Sequence, residues 1–421
     1  MTTLPPTPPL GVTPASLAEP TTPAARRWVA WITLASIGLW AGFFGPIQVL
    51  LAQQAEVISP DHKEFVFGLV TGLGAAVSVI CNPLSGAFSD RTVSKVGRRF
   101  PWVLGGGAVG AIALVLLASA DSVVTMALAW CLAQAGLNAM LAAIMATVPD
   151  QVPVQQRGGV GGWLAVAQTL GIVGGVGIAA ATGSIAAGYL ATAAALVVLA
   201  LPYLFDHRDV ALDRAHREPW DTRRFLSSFW IDPRRFPDFG WAWLTRFLVN
   251  LGNALGTLYL FFYLQDAVGY GNPEDGVFIL TVIYAVLLVI TTVVGGIWSD
   301  RLARRKVFVV VSGLVTAAAA LTLALVQTWP GAVAGAVILG AGYGIYTAVD
   351  FALITQVLPE ASARAKDLGV INIANALPQV IAPLVATVLV QQAGGYVTLY
   401  LFAALVCLVG SWLVRNIRSV A

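Results

Sequence analysis

Residues 82–102 read NPLSGAFSDRTVSKVGRRFPW. Five charged residues, Asp90, Arg91, Lys95, Arg98 and Arg99, crowd a short polar loop between two long apolar runs. The core of that loop returns much later: GAFSDR at 86–91 is answered by GIWSDR at 296–301, an offset of 210 in a chain of 421 residues. A charged loop repeated at half the chain length points to a duplicated architecture.

Composition sets the class. The chain is 58% hydrophobic and 11% charged, against about 25% charged residues in soluble domains. An integral membrane protein is the reading, with the lipid bilayer as its first partner. The net charge of +3 is small, and the basic residues sit in short loops rather than on one folded face, so nucleic acid is excluded as a partner. Cys81, Cys131 and Cys407 each fall within an apolar run, which argues against a disulfide framework and a metal site. Residues 1–25 are rich in Pro and Thr and lack a signal peptide's basic start and compact apolar core; they read as a disordered cytoplasmic tail.

Apolar runs long enough to cross a bilayer fall at roughly 28–52, 64–88, 101–119, 123–148, 158–181 and 185–205, and again at roughly 241–265, 276–298, 307–326, 332–357, 368–392 and 396–416. The expected fold is an all-α membrane protein of 12 transmembrane helices in two pseudo-symmetric six-helix bundles. The bundles span 26–205 and 241–416, and a short tail follows at 417–421. The stretch between them, 206–240, carries seven arginines, seven acids, His207 and His216; it reads as a solvated cytoplasmic linker with a short surface helix around FLSSFW. With the N-terminus inside, 22 of the 24 Lys and Arg residues lie in cytoplasmic segments, the exceptions being Lys63 and Arg246. The outer loops hold acids instead, among them Glu56, Glu64 and Asp266. Both termini are therefore expected in the cytoplasm. At the same offset of 210, Trp31 meets Trp241, Glu56 meets Asp266, and Pro149-Asp150 meets Pro359-Glu360. Such weak internal symmetry marks a duplicated half.

Twelve spans, a long central loop and G-x-x-x-D-R after the second and eighth spans resemble the major facilitator superfamily, over nearly the whole chain after residue 26. Within the loop, SDRTVSKVGRRFPW resembles the sucrose and glycoside cation symporters, and LGVINIANALPQ at 368–379 resembles their eleventh helix. The resemblance implies a secondary active transporter in the plasma membrane, working by alternating access as a monomer, with no cofactor and no enzymatic activity. It also implies gating by the loop. Asp90 ends a descending helix and can face the positive N-terminal end of a helix in the other half. Arg91, Arg98 and Arg99 can hold acids and helix C-termini. Asp300 and Arg301 form the symmetric set. The expected anchors are Asp367-Leu368 for Asp90 and Arg157-Gly158 for Asp300. A topogenic stop signal with no moving part accounts for the charges too.

Polar residues inside the spans are functional candidates by default. The seventh span carries Arg246, Asn250, Asn253 and Thr257; the tenth Tyr343, Tyr346 and Asp350; the eleventh Asn372, Asn375 and Gln379. The fourth offers Gln134 and Asn138, and the first offers Trp40 and Gln48. Spacings of three and four put each set on one side of its helix, which suits a shared wet cavity. Hydrogen bonding that merely joins helices is the plainer account. Asp350 is the only carboxylate well inside a span. It lies about 10 Å from the cytoplasmic end of its helix, and Arg246 about 8 Å from that of its own. Matched depth suggests a buried pair, either static or with Asp350 as a proton-coupling acid. No histidine lies in any span, so a histidine relay is excluded, and no Ser/His/Asp, Cys/His or metal-spaced cluster suggests an enzyme.

One departure from the sucrose symporters stands out. Their fourth helix carries an Asp four residues before an Asn and an Arg seven after it; aligned on Asn138, this chain has Gln134 and Met145 there. The expected solute is a polar small molecule, a sugar or glycoside, moved by proton symport. Trp40, Tyr343 and Tyr346 would stack on a sugar ring while the amides bond its hydroxyls. The alternative is a proton-coupled efflux antiporter for a drug-like compound; LGIVGGVG at 170–177 is Gly-rich like the antiporter motif of the fifth helix but lacks its proline.

Overall fold

The computed structural model describes residues 20–206, 234–302, 305–357 and 364–418, with 209, 211, 212, 214 and 221–223 of the linker. The described parts are almost entirely helical. Inside hydrocarbon a backbone must satisfy its own polar groups, and a helix does so within one segment. In chain order the spans are α1 Arg26–Ile58, α2 Lys63–Asp90, α3 Phe100–Ala118, α4 Val123–Gln151, α5 Val154–Ala181 and α6 Ile185–Phe205. The second set is α7 Pro237–Leu258 with its continuation Leu260–Ala267, α8 Pro273–Leu302, α9 Arg305–Leu325, α10 Trp329–Val357, α11 Arg364–Gln392 and α12 Gly395–Leu413. Among the described residues, eleven helices are long and apolar enough to cross a membrane; α7, bent by 42° at Tyr259, makes twelve when taken as one span.

The duplication is visible in the packing. In the N-terminal half α1 packs on α5 and α6, α2 on α4, and α3 on α4 and α6. In the C-terminal half α7 packs on α11 and α12, α8 on α10, and α9 on α10 and α12. These are the same five pairs. The contacts between halves, α2 with α11 and α5 with α8, obey the same symmetry. Even a local irregularity repeats: α1 and α7 each pass through a π-helical turn near one end, at Pro46–Leu50 and Tyr263–Ala267. Small residues let the helices close up. A Cβ on Gly175 would stand 2.7 Å from the Ala41 carbonyl, and one on Gly171 2.5 Å from the Trp40 Cβ. Gly171 and Gly175 of LGIVGGVG thus pack α5 against α1, the plainer of the two accounts offered for that stretch.

Among the described residues, the side-chain bonds between the halves gather at one end. At the end away from the G-x-x-x-D-R loops, Lys63 Nζ of α2 lies 2.7 Å from Asp266 Oδ1 and 3.4 Å from Glu56 Oε1. Gln265 Nε2 donates to Glu56 (2.7 Å), and the Tyr396 hydroxyl donates to Asp266 (2.8 Å). Just below, the Tyr259 hydroxyl donates to the Pro383 carbonyl at 3.1 Å and lies 2.9 Å from the Thr387 hydroxyl. Gly68 of α2 fits against this pair; a Cβ there would meet Thr387 Oγ1 at 2.2 Å. Thr281 of α8 donates to Gln48 of α1 at 3.1 Å, and Phe278 fills the space beside Gly177. Among the described residues, the bonds that close the halves against each other lie at the end of the acidic loops, and at the end of the basic loops Gly86, Gly158, Gly159, Gly161, Gly162 and Gly296 have no neighbour within 4 Å of an added Cβ.

Candidate functional site: a charged network in the C-terminal half

Three helices of the C-terminal half bring their polar stripes together. Arg246 (α7) and Asp350 (α10) form an ion pair, Nη1 to Oδ2 at 2.5 Å, with 15% and 14% of their side chains exposed. Each partner is held from its other side. The Tyr346 hydroxyl, one helical turn before Asp350, donates to Asp350 Oδ1 at 2.7 Å. Arg246 Nε donates to Asn375 Oδ1 of α11 at 2.7 Å. Asn250 Nδ2 donates to the same oxygen at 3.1 Å and to the Arg246 carbonyl at 2.8 Å. The Tyr343 hydroxyl closes the chain on Asn250 Oδ1 at 2.7 Å. Beyond it, the Tyr284 ring of α8 stacks on Tyr343, and its hydroxyl donates to Asn253 Oδ1 at 3.1 Å.

Of the sequence candidates, Arg246, Asn250, Asn253, Tyr343, Tyr346, Asp350 and Asn375 therefore belong to one connected network. The Tyr343 and Tyr346 hydroxyls bond to Asn250 and Asp350, and the Tyr343 ring stacks on Tyr284. Gln379 is exposed, four residues from Asn375, and the side chain of Asn372 lies outside the described residues. Tyr284 was absent from the sequence candidates.

The N-terminal half holds a second polar cluster, and it carries no charge. Asn138 Nδ2 donates to the Gln134 carbonyl and side-chain oxygen, while Asn138 Oδ1 accepts from Ser78 (3.0 Å) and Asn82 (3.3 Å) of α2. These bonds join α4 to α2. Trp40 packs beside Phe43 and Phe44, and its Nε1–H is buried without a hydrogen-bond partner among the described residues. Gln48 lies in the contact between halves rather than in the cluster.

The opening loop is tied down within its own half. Arg98 and Arg99 both reach Asp150 at the end of α4, Nη2 to Oδ1 at 2.6 Å and Nε to Oδ2 at 2.7 Å. Arg99 also donates to Ser89 (2.9 Å) and pairs with Asp90. Burial works against the Arg99 charge, but Asp90 and Asp150 outweigh it and hold its pKa above the ordinary arginine value. Asp209 of the linker caps α3, accepting from the backbone N–H groups of Arg99 and Phe100 at 2.5 and 2.8 Å. Gly97, at φ +101°, leaves room for it: any Cβ would fall 2.3 Å from the Asp209 side chain. Arg157 donates to the carbonyls of Val152 (3.0 Å) and Pro149 (2.9 Å), so it caps α4. The expected inner-gate contacts fall on side chains outside the described residues. Within them, Asp90 pairs with Arg99, with 60% of its side chain exposed. Arg301 is exposed at the end of α8, and the side chains of Asp300, Asp367 and Leu368 lie outside the described residues.

Lys63 and its partners were not among the site candidates. The signal was present, since Lys63 was one of two exceptions to the charge rule and Glu56 and Asp266 coincide at the repeat offset. One lysine serves both duplicated acids.

Comparison with known proteins places this architecture. A profile described as Major Facilitator Superfamily matches residues 29–286 and 276–419. No curated protein sequence matches. Among solved structures, the nucleoside transporter NupG is similar with a TM-score of 0.73 at 13% identity, over 93% of this chain and 99% of that one. A human organic anion transporter, MFSD10, gives 0.68 at 16% identity over 93% and 100%. A bacterial homologue of the lysosomal transporter Spinster, solved inward-facing and unoccupied, gives 0.69 at 13% identity over 94% and 96%. At these identities the likeness is one of fold.

Proposed function

Given that the chain belongs to the major facilitator superfamily, we propose that it couples proton movement to the transport of a polar, hydroxylated small molecule, of the sugar or glycoside class, by alternating access. The observation that carries this reading is the Arg246–Asp350 pair, enclosed by Tyr346, Asn375, Asn250 and Tyr343 where α7, α10 and α11 meet. A carboxylate beside an arginine inside a membrane changes proton affinity when the pair opens or closes. Rocking one half against the other is the motion that would do it. The amides and hydroxyls of both clusters supply donors and acceptors for a hydroxylated solute, and the buried Trp40 indole N–H is a further donor. In this reading the charged loop with Asp90, Arg91, Arg98 and Arg99 is the inner gate, Arg301 and Asp300 its symmetric counterpart, and Lys63 the outer latch. The protein sits in the plasma membrane as a monomer with both termini cytoplasmic.

The test is uptake into proteoliposomes. Labelled mono- and disaccharides, glycosides and their acidic derivatives are offered under an imposed proton gradient, with and without a protonophore. Accumulation of one class that collapses with the gradient supports the proposal. Failure of every sugar and glycoside, with gradient-dependent protection of cells against a toxic amphiphile, would replace it with efflux.

A further inference from the structure

Arg246 is only partly used by its own protein. Nε donates to Asn375 and Nη1 lies against Asp350, whereas among the described residues Nη2 has no hydrogen-bond partner. The Arg246 side chain keeps 15% of its surface exposed. The guanidinium therefore presents an open donor edge, in a network whose neighbouring amides and hydroxyls are already bonded to one another.

Its charge balance is equally narrow. Among the described residues, the charged and titratable groups acting on Asp350 are Arg246 from α7 and Tyr346 from α10, with Tyr343 one turn on. Tyr284 of α8 stacks on Tyr343, and α11 contributes the neutral Asn375. The opposite half offers no substitute, since 28–52, 65–88, 101–119, 123–148, 158–181 and 185–205 contain no Asp, Glu, Lys or Arg. When Asp350 takes up a proton, Arg246 is left as an enclosed cation without a counter-charge, a costly state. A neutral solute cannot relieve it. A solute bearing one negative charge can.

Resting on the reading of Asp350 as the coupling acid, we propose that the solute carries one oxyanion, a carboxylate or a group of like shape, which Arg246 binds when Asp350 is protonated. The transported compound is then an acidic sugar or acidic glycoside rather than a neutral one. The planar guanidinium edge formed by Nη1 and Nη2 matches a two-oxygen acceptor. The charges balance: one proton on Asp350 and one negative charge on Arg246 leave the net charge of the site unchanged. Each monoanion moves with one proton, so the loaded site moves no net charge. By reciprocity, the anion raises the proton affinity of Asp350 as much as the proton raises affinity for the anion.

The test uses simple sugar acids as probes of the anion site. Thermal melting of the purified protein is titrated with sodium gluconate and sodium glucuronate, with glucose as the neutral control and chloride holding ionic strength constant. Wild type is measured at about pH 5 and about pH 8, where both probe carboxylates stay ionised, beside Asp350→Asn and Arg246→Gln. The expected result is a saturable rise of about 2 °C for the carboxylates, with binding at least about tenfold tighter at the lower pH. Asp350→Asn should bind tightly at both pH values, and Arg246→Gln should lose the effect. No saturable carboxylate effect in wild type at either pH, or an equal effect from glucose, overturns the proposal, whether or not the variants fold. If the anion binds as expected but the pH dependence of transport is unchanged in Asp350→Asn, the coupling reading fails while the anion site stands.

Discussion

The two halves of the molecule repeat five helix contacts but not their chemistry. In the N-terminal half, α2 and α4 are joined by neutral groups, Ser78, Asn82, Gln134 and Asn138. In the C-terminal half, α7, α10 and α11 are joined through Arg246 and Asp350. The first half is thus an internal control for the second. It reaches the same architecture with no charge inside its spans, so the fold does not require the pair. An enclosed ion pair is weak evidence for stability, because desolvation cancels much of its attraction. Charges inside the bilayer are expensive and mark working sites. The scaffold was duplicated and the charge was not.

The largest expected effect comes from breaking the pair on one side. Arg246→Gln strands a carboxylate and should cost about 3–5 kcal/mol at a pH where Asp350 is ionised, read as lowered melting temperature. Its destabilisation should shrink on acidification, because a protonated Asp350 no longer needs the cation. The double variant with Asp350→Asn should recover most of the stability while still failing to accumulate solute. If the double variant is as unstable as Arg246→Gln, the pair is structural and the contrast between halves collapses.

Next in size are changes to the closed end. Gly68→Ala places a methyl 2.2 Å from Thr387 Oγ1, so closure against α11 is blocked. Lys63→Gln removes the ion pair that spans the halves, worth about 1.5–3 kcal/mol for hydrogen bonds to charged groups, or roughly a 10- to 150-fold shift in the balance of states. Spin-label distances across the acidic-loop end should lengthen in both variants. An unchanged distance distribution in Lys63→Gln would remove it from the latch. Asp209→Ala removes the cap on α3 and should cost about 1 kcal/mol, seen as a small fall in melting temperature with the outer distances unaltered.

The smallest effect sharpens the comparison from the other side. Asn138→Ala loses bonds that join helices in the membrane, which average about 0.6 kcal/mol each. Melting should fall slightly and gradient-driven accumulation should keep its pH dependence. A loss of that dependence would put proton coupling in the neutral half.

The spans were legible because about 20 consecutive apolar residues admit few alternatives, and the duplication because a charged loop stands out in an oily chain. The bend in α7 was not, since LGTLYLFF contains no proline to announce it. Spacings of three and four placed Arg246 with Asn250 and Tyr346 with Asp350, and matched depth suggested the pair. The role of Asn375 as the bridge between Arg246 and Asn250 depends on how α11 is rotated about its axis, which spacing alone does not give. Ser78 and Asn82 are four apart on one face of α2, yet single small polar groups in an apolar run draw little notice. Asp209 was one of seven acids in a mixed-charge linker, and only the approach of Gly97 singles it out.

Whether Asp350 carries the coupled proton is decided by separating exchange from accumulation. Proteoliposomes containing wild type or Asp350→Asn are given the best-transported member of the sugar and sugar-acid panel, first as counterflow without a gradient and then as net uptake with the interior alkaline. Asp350→Asn should retain counterflow and lose gradient-driven accumulation. Accumulation to the wild-type ratio in Asp350→Asn, under the same gradient, would contradict it.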